Sequence, residues 1–479
     1  MDFIKLKTAA KIALAALAVL CIGAVVFYKE RLFADTSYIA FLIVNYKSFA
    51  IQNQRYGSFI TQLVPYIGQA LHLPLKVILI GYVLSFNLFF FIINALLVYR
   101  YRQYGLAILM SLYYFLFVSD SYFLANDEIH QAVAWMFLTF GITIYMGNKR
   151  NNIFRVLLPF ILFVTLTIFT HFVVIIPTIF IFVYLVTDKK NWPFSIRNTV
   201  LLSVILISVI VIKMRFSGGT QSYEKQHLYH LTHLSLQDVI DCFKTPVIRM
   251  FLYRCVINYW IAVLVFITGI IYLIRNKKWL LLSWTIISTL GYFALMGVVY
   301  GDLDDKVGLF HIETEWQCIG ILIASPFVFA FLPKINRKFS TCLLVIIFLT
   351  RIVYISSAIP AFSWRIDFTK KTLAEMRKRN VYKAAMYDGI LERKYIQDWS
   401  LGYESLFESA LEGDKPLRTF VLFNKDDKQK ETILLSGKTG IFLYDLTDCN
   451  RLNKEYFQID TTQPYQILTN ESFLNNYDK

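Results

Sequence analysis

The sequence predicts an all-α polytopic membrane protein of about 11 transmembrane helices, with a small α+β extracytoplasmic domain at its C-terminal end. Three observations predict it. Of 479 residues, 57% are hydrophobic and 17% charged, where a soluble domain is about half apolar and a quarter charged. Apolar runs of about 18 residues or more recur along the chain, each long enough to cross a bilayer. Basic residues collect in alternate loops, as they do when helices thread a membrane. The mean hydropathy of +0.52 agrees. A net charge of +15 would suggest nucleic acid in a soluble chain; here it sits in loops and orients helices, so no nucleic-acid partner is expected.

Lys5 and Lys7 precede the first apolar run, Thr8–Tyr28. It is longer than a signal peptide's hydrophobic region and lacks a small-x-small cleavage site, so it reads as an anchor. The further predicted spans are Pro74–Tyr99, Tyr104–Leu124, Ile129–Gly147, Ile153–Phe169, His171–Val186, Asn198–Ile212, Cys255–Ile274, Trp279–Tyr300, Trp316–Leu332 and Phe339–Ala358. The pair meeting at Thr170–His171 must turn almost at once.

Loop charge sets the orientation. With the N-terminus inside, the inner loops hold Arg100 and Arg102; Lys149, Arg150 and Arg155; Lys189, Lys190 and Arg197; Arg275, Lys277 and Lys278; and Lys334, Arg337 and Lys338. The short outer loops hold Asp120, Asp127 and Glu128, then Asp302, Asp304, Asp305, Glu313 and Glu315 against a single Lys306. This divides the chain into a transmembrane domain, 1–358, with outer loops 29–73 and 213–254, and an extracytoplasmic domain, 359–479. All seven His (72, 130, 171, 227, 230, 233, 311) then fall on or near the outer face. In the C-terminal domain, Phe368–Arg379 and Tyr403–Leu411 have helical patterning. Thr419–Phe423, Thr432–Leu435 and Ile441–Tyr444 alternate like strands, with SGKTG as a turn. SGKTG lacks the first Gly and the following helix of a phosphate-binding loop. Six Cys are scattered with no CxxC; Cys242 and Cys449 both fall outside, with nothing in the spacing to pair them.

The chemistry-bearing residues gather in the outer loops. Asp35 opens the first, where a carboxylate can deprotonate an acceptor hydroxyl; equally, Asp-Thr-Ser before an apolar run is a helix cap. Asp120, Asp127, Glu128 and His130 sit in SDSYFLANDEIHQAVAW. Acids so near a bilayer are costly and often functional, yet they also suit the first turn of a helix. Arg31, Arg55, Lys213, Arg215, Arg249 and Arg254 are outer cations. Arginine binds phosphate bidentately, and anionic headgroups attract it as well. His171 stands at a hairpin tip, as an acid/base group or as a buried helix-end histidine. His227, His230 and His233 share a helical face, suited to zinc or to a half-buried surface helix. Asp302, Asp304, Asp305, His311, Glu313 and Glu315 offer hard oxygens to a divalent cation, or form a solvated turn.

The first outer loop with FADTSY (Asp35), its two short amphipathic pieces, the acids of LANDEIH (Asp127, Glu128) and the outer C-terminal domain together resemble the GT-C superfamily of polyprenyl-phosphate-sugar glycosyltransferases. Asp35 is followed by Thr36 where that family often carries a second acid. NDEIHQAVAWMF and THFVVIIP are also similar to EpsG-like and O-antigen-polymerase-type exopolysaccharide proteins, which often have Arg-Gln where this chain has His130–Gln131. Both resemblances imply a lipid-linked glycan handled at the outer face of a bacterial inner membrane. The first implies Asp35 as base, with Asp127 and Glu128 beside it. Arg55, Arg31, Arg215 and Arg254 would lie on the donor phosphate, and His130 and His171 are further candidates. The implied partners are a polyprenyl-phosphate sugar, a glycan, lipid or protein acceptor, and membrane lipids. No cofactor or metal ligand set is predicted, and a divalent cation is left open. A transporter of lipid-linked glycans is the non-enzymatic alternative; it would be expected to show inverted repeats and broken spans.

Overall fold

A computed structural model describes residues 6–149, 153–189, 192–217, 236–301, 308–387, 395–423, 427, 432 and 437–468. His227, His230, His233, Asp302, Asp304, Asp305 and most of the predicted strand Thr432–Leu435 lie outside the described residues. Each predicted apolar stretch forms helix over all or most of its length. Among the described residues, six helices are long and apolar enough to cross a membrane: Lys7–Val26, Leu75–Arg100, Glu128–Lys149, Ile196–Phe216, Trp279–Val299 and the near-continuous Arg337–Lys378. Two bent pairs raise this to as many as eight if each pair is one span. Three further apolar helices, Tyr104–Leu116, Phe154–Thr170 and Phe172–Asp188, are shorter. The chain is a helical membrane protein.

In chain order the helices used below are α1 (Lys7–Val26), α2 (Asp35–Tyr46), α3 (Phe59–Ala70), α4 (Leu75–Ala95), α5 (Tyr104–Leu116), α6 (Glu128–Lys149), α7 (Phe154–Thr170), α8 (Ile175–Asp188), α9 (Ile196–Ser217), α10 (Pro246–Ile257), α11 (Trp260–Arg275), α12 (Trp279–Val299), α13 (Leu309–Trp316), α14 (Ile319–Ser325), α15 (Arg337–Ser357), α16 (Ile359–Lys378) and α17 (Leu401–Leu411). One large apolar core draws on α1 and α4–α16. A second joins α2 and α4 to α17 and so ties the first loop to the C-terminal unit.

Two breaks interrupt the bundle, and side chains satisfy the backbone there, as an apolar setting requires. The α10–α11 pair bends by 89° and the α13–α14 segment by 51°. Arg351, buried in α15, serves the first break: its guanidinium donates to Phe115 O (2.9 Å), Val118 O (2.9 Å) and Asn258 O (2.5 Å). The same contacts explain why α5 stops at Leu116, short of the predicted Leu124. Arginine caps its last carbonyls, and Asp120–Phe123 then forms a buried 3-10 turn.

The C-terminal unit forms the predicted strand Thr419–Phe423 and, nearly, Ile441–Tyr444, and adds strands that were not predicted. Its sheet is parallel, in the order β2–β1–β5, with β1 Lys383–Tyr387, β2 Thr419–Phe423 and β5 Gln466–Ile467. Helix α17 forms the crossover between β1 and β2, as a parallel pair needs. A separate hairpin pairs β3 (Gly440–Leu443) with β4 (Asp445–Asp448), leaving Tyr444 at the tip. The unit sits on the first loop. Asn453 donates to Asn45 Oδ1 (2.8 Å) and to Val44 O (3.0 Å), Lys29 pairs with Glu408 (2.7 Å), and Tyr456 donates to Leu73 O (3.0 Å). All six cysteines are free thiols, and a Cβ at Gly297 of α12 would lie 2.5 Å from Cys242 O.

Candidate functional site

Asp35, Arg55, Asp127, Glu128 and His171 line one cavity of about 470 Å³. Four pieces of chain bring them together, the loop of Arg55 among them. The stretch around Asp35 is stitched to the stretch around Asp127 by a β-bridge between Leu32 and Leu124 and by Asn126 N donating to Thr36 Oγ1 (3.0 Å). The hairpin tip of α7 brings His171.

Asp35 is the first residue of α2 rather than its cap. The capping position is Ala34, which makes no side-chain cap and has φ +49°. A non-glycine residue there is strained, and such strain persists only where neighbours impose it. The C-terminal unit imposes it here. Ala34 N donates to Glu404 Oε1 (3.0 Å), Ser400 Oγ donates to the same oxygen (2.8 Å), and buried Arg365 pairs with the other carboxylate oxygen. Arg365 also donates to Glu30 O (3.0 Å). Asp35 keeps a partial opening into the cavity and is otherwise enclosed by protein. Burial, reinforced by the Glu128 carboxylate and partly offset by Arg55, pushes its carboxyl up to about 7. Such a group is divided between acid and base near neutrality.

Arg55 follows two strained residues, Asn53 (φ +47°) and Gln54 (φ +57°). Gln62 of α3 clips this loop through Ala50 N (2.8 Å) and Ala50 O (3.2 Å). Gly57 lets it approach α7: a Cβ there would lie 1.8 Å from Thr170 Oγ1. Arg55 is salt-bridged to Glu128 at 3.0 Å. Its planar guanidinium carries five N–H donors in a fixed fork.

Asp127 caps α6, with Oδ1 accepting from Ile129 N at 2.8 Å. Its Oδ2 has no hydrogen-bond partner and lies 3.6 Å from His130 Nε2. Burial, outweighing that backbone bond, raises the Asp127 carboxyl well above the ordinary carboxylate range. His130 lies behind the cavity. It is hydrogen-bonded to the Tyr113 hydroxyl (3.0 Å) and stacked on Tyr114 with ring centroids 4.3 Å apart. The ring of His171 caps its own turn, accepting from Val173 N at 3.3 Å.

Three predicted phosphate ligands are not among the lining residues. Arg31 is fully buried, bonded to Tyr122 O and to Asn87 Oδ1 (2.8 Å), with its guanidinium 4.1 Å from the Tyr122 ring centroid. It locks α4 to the chain after α5. Arg215 lies exposed near the end of α9. Arg254 bonds Asn258 Oδ1 (3.2 Å) at the helix break. Glu313, a suggested cation ligand, is buried and accepts from Ser119 N (2.9 Å), Ser121 N (2.7 Å) and Tyr259 Oη (2.7 Å), and from the Ser119 hydroxyl. His311 and Glu315 do line the cavity, with Tyr300 facing the Glu315 carboxyl. Among the described residues no group of three or more His, Cys, Asp or Glu is arranged to hold a metal. Tyr38, Gln52, Tyr300, Trp399 and Tyr444 also line the wall and were not singled out in the sequence. Tyr38 and Tyr300 carry only the signal of a Tyr near a membrane edge, and Gln52, Trp399 and Tyr444 carry none. No family model matches the chain, and neither does any curated protein or solved structure.

Proposed function

We propose that this chain is an integral membrane glycosyltransferase that moves a sugar from a polyprenyl-phosphate donor to an acceptor hydroxyl in the Asp35–Arg55 cavity. In this reading all of the eleven apolar stretches cross the membrane in a GT-C-like arrangement, with the N-terminus cytoplasmic. The cavity and the C-terminal unit face outward from a bacterial inner membrane. The observation that carries it is the meeting, in one cavity, of a carboxyl poised near 7 with an arginine. A general base works best when its pKa lies near the working pH.

Asp35 takes the proton of the acceptor hydroxyl as that oxygen bonds to the anomeric carbon. The bond from this carbon to the phosphate oxygen breaks, and its electron pair leaves on the lipid phosphate. Arg55, turning from Glu128, meets the new charge, the electrostatic contribution that is usually the largest in such sites. Asp127, which lines the same cavity, lies beside the donor. The basic inner loops and acidic outer loops support the orientation.

The test presents full-length protein in nanodiscs with a panel of polyprenyl-phosphate sugars and oligosaccharide acceptors. Sugar transfer from at least one donor is expected. Tight donor binding with no turnover from any donor would instead leave a transporter or a non-catalytic partner subunit.

A further inference from the structure

The mouth of the cavity contains groups that proton transfer and phosphate binding do not call for. Tyr38 comes from α2, and Trp399 and Tyr444 come from the C-terminal unit; all three line the cavity. Their rings form an open trio. Tyr38 and Trp399 lie 6.1 Å apart at 82°, Trp399 and Tyr444 6.1 Å apart at 90°, and Tyr38 and Tyr444 6.4 Å apart at 42°. None is buried, and Tyr444 keeps 57% of its surface exposed.

The position of Tyr444 is held at a conformational cost. It is the single residue between β3 and β4 and has φ +66°, a region that glycine or asparagine occupies more easily. The tip is fixed from behind. Tyr403 donates its hydroxyl to Leu443 O at 2.6 Å. Gly402 lets α17 approach so closely that a Cβ there would lie 2.5 Å from Phe442 O. A strained, braced turn thus presents an aromatic ring to an open cavity. The amides of Gln52 and Asn53 line the same cavity, Asn53 also at positive φ.

Aromatic faces beside side-chain amides suit a pyranose ring. Its axial C–H bonds make an apolar face that lies on an aromatic ring, and its hydroxyl edge needs groups that both donate and accept, as amides do. A polyprenyl tail brings no hydroxyls for those amides. The geometry points to an acceptor subsite in which Tyr38, Trp399 and Tyr444 stack a saccharide ring and Gln52 and Asn53 bond its hydroxyls, so that the acceptor is a glycan. Its role as acceptor site rests on the transferase reading; binding itself is measurable without turnover.

The experiment titrates chitotetraose, maltotetraose and a mannotetraose into the full chain in nanodiscs by calorimetry, with undecaprenyl phosphate and an unrelated peptide as competitors for the mouth. At least one oligosaccharide is expected to bind the wild type. Trp399→Ala and Tyr444→Ala should each weaken it about tenfold, the scale of one lost aromatic contact, while Trp399→Phe retains most of the affinity. Tyr444 is exposed, so its truncation keeps the test valid if Trp399→Ala fails to fold. No oligosaccharide bound by the wild type, equal binding by both alanine variants, or displacement by the lipid phosphate or the peptide alone overturns the subsite. Transfer is assayed in parallel. Trp399-dependent oligosaccharide binding without any transfer upholds the subsite and counts against the transferase reading.

Discussion

Two groups of buried charge lie close together in this molecule and are treated in opposite ways. Glu313 and Arg351 are saturated: the carboxylate accepts from two backbone amides and two hydroxyls, and the guanidinium donates to three carbonyls. Around Asp35 and Asp127 the carboxyls face a cavity, and Asp127 Oδ2 and Glu315 Oε2 have no hydrogen-bond partner. A saturated charge repairs broken helices, where an orphaned buried group would cost about 1–3 kcal/mol. An unsaturated one facing a cavity is available to a ligand. Hydrogen-bond saturation separates Glu313 and Arg351 from Asp127 and Glu315, although buried Arg31 and Arg365 each keep an unpartnered Nε as well.

The comparison can be broken from either side. Asp35→Asn keeps the shape and removes the base; transfer should fall about 10²–10⁴-fold with expression intact, as assayed in nanodiscs. The same variant should be more heat-stable than wild type. The raised pKa means that ionised Asp35 opposes folding, so the gain should grow from about pH 4 to about pH 7 and level off above it. Arg351→Leu should act on folding alone. Orphaning three carbonyls should cost about 3 kcal/mol or more in thermal unfolding, with transfer per folded molecule preserved. Strong loss of turnover in well-folded Arg351→Leu would place function in the saturated cluster. Arg55→Lys retains charge and loses the planar fork, and should lower transfer about tenfold without changing stability. The smallest effect is expected from Ala34→Gly, which relieves the positive φ and should stabilise by about 1 kcal/mol in a melting experiment.

What the sequence revealed follows the same division. Apolar runs located the helices, because a span is a local property of about 20 residues. Asp35, Arg55, Asp127 and Glu128 were legible because a charge at the edge of an apolar run stands out. Arg31 stood out equally and is a bolt, since Asn87 and Tyr122, which occupy it, are remote in sequence. The early end of α5 was hidden for that reason too: the capping Arg351 lies 236 residues from Phe115. Strand β1, KAAMY, shows no alternation because four of its five residues are buried in a parallel sheet. Trp399 and Tyr444 reach the cavity only through docking of the C-terminal unit, for which no local pattern exists.

The most direct measurement is the pH dependence of single-turnover transfer by the wild type in nanodiscs between pH 5 and pH 9. If Asp35 is the base, the rate should rise about tenfold per unit at low pH, bend near pH 7 and then level off. A rate that is flat from pH 5 to pH 8, or that falls as pH rises through 7, would contradict a catalytic Asp35 carboxylate and the account built on it.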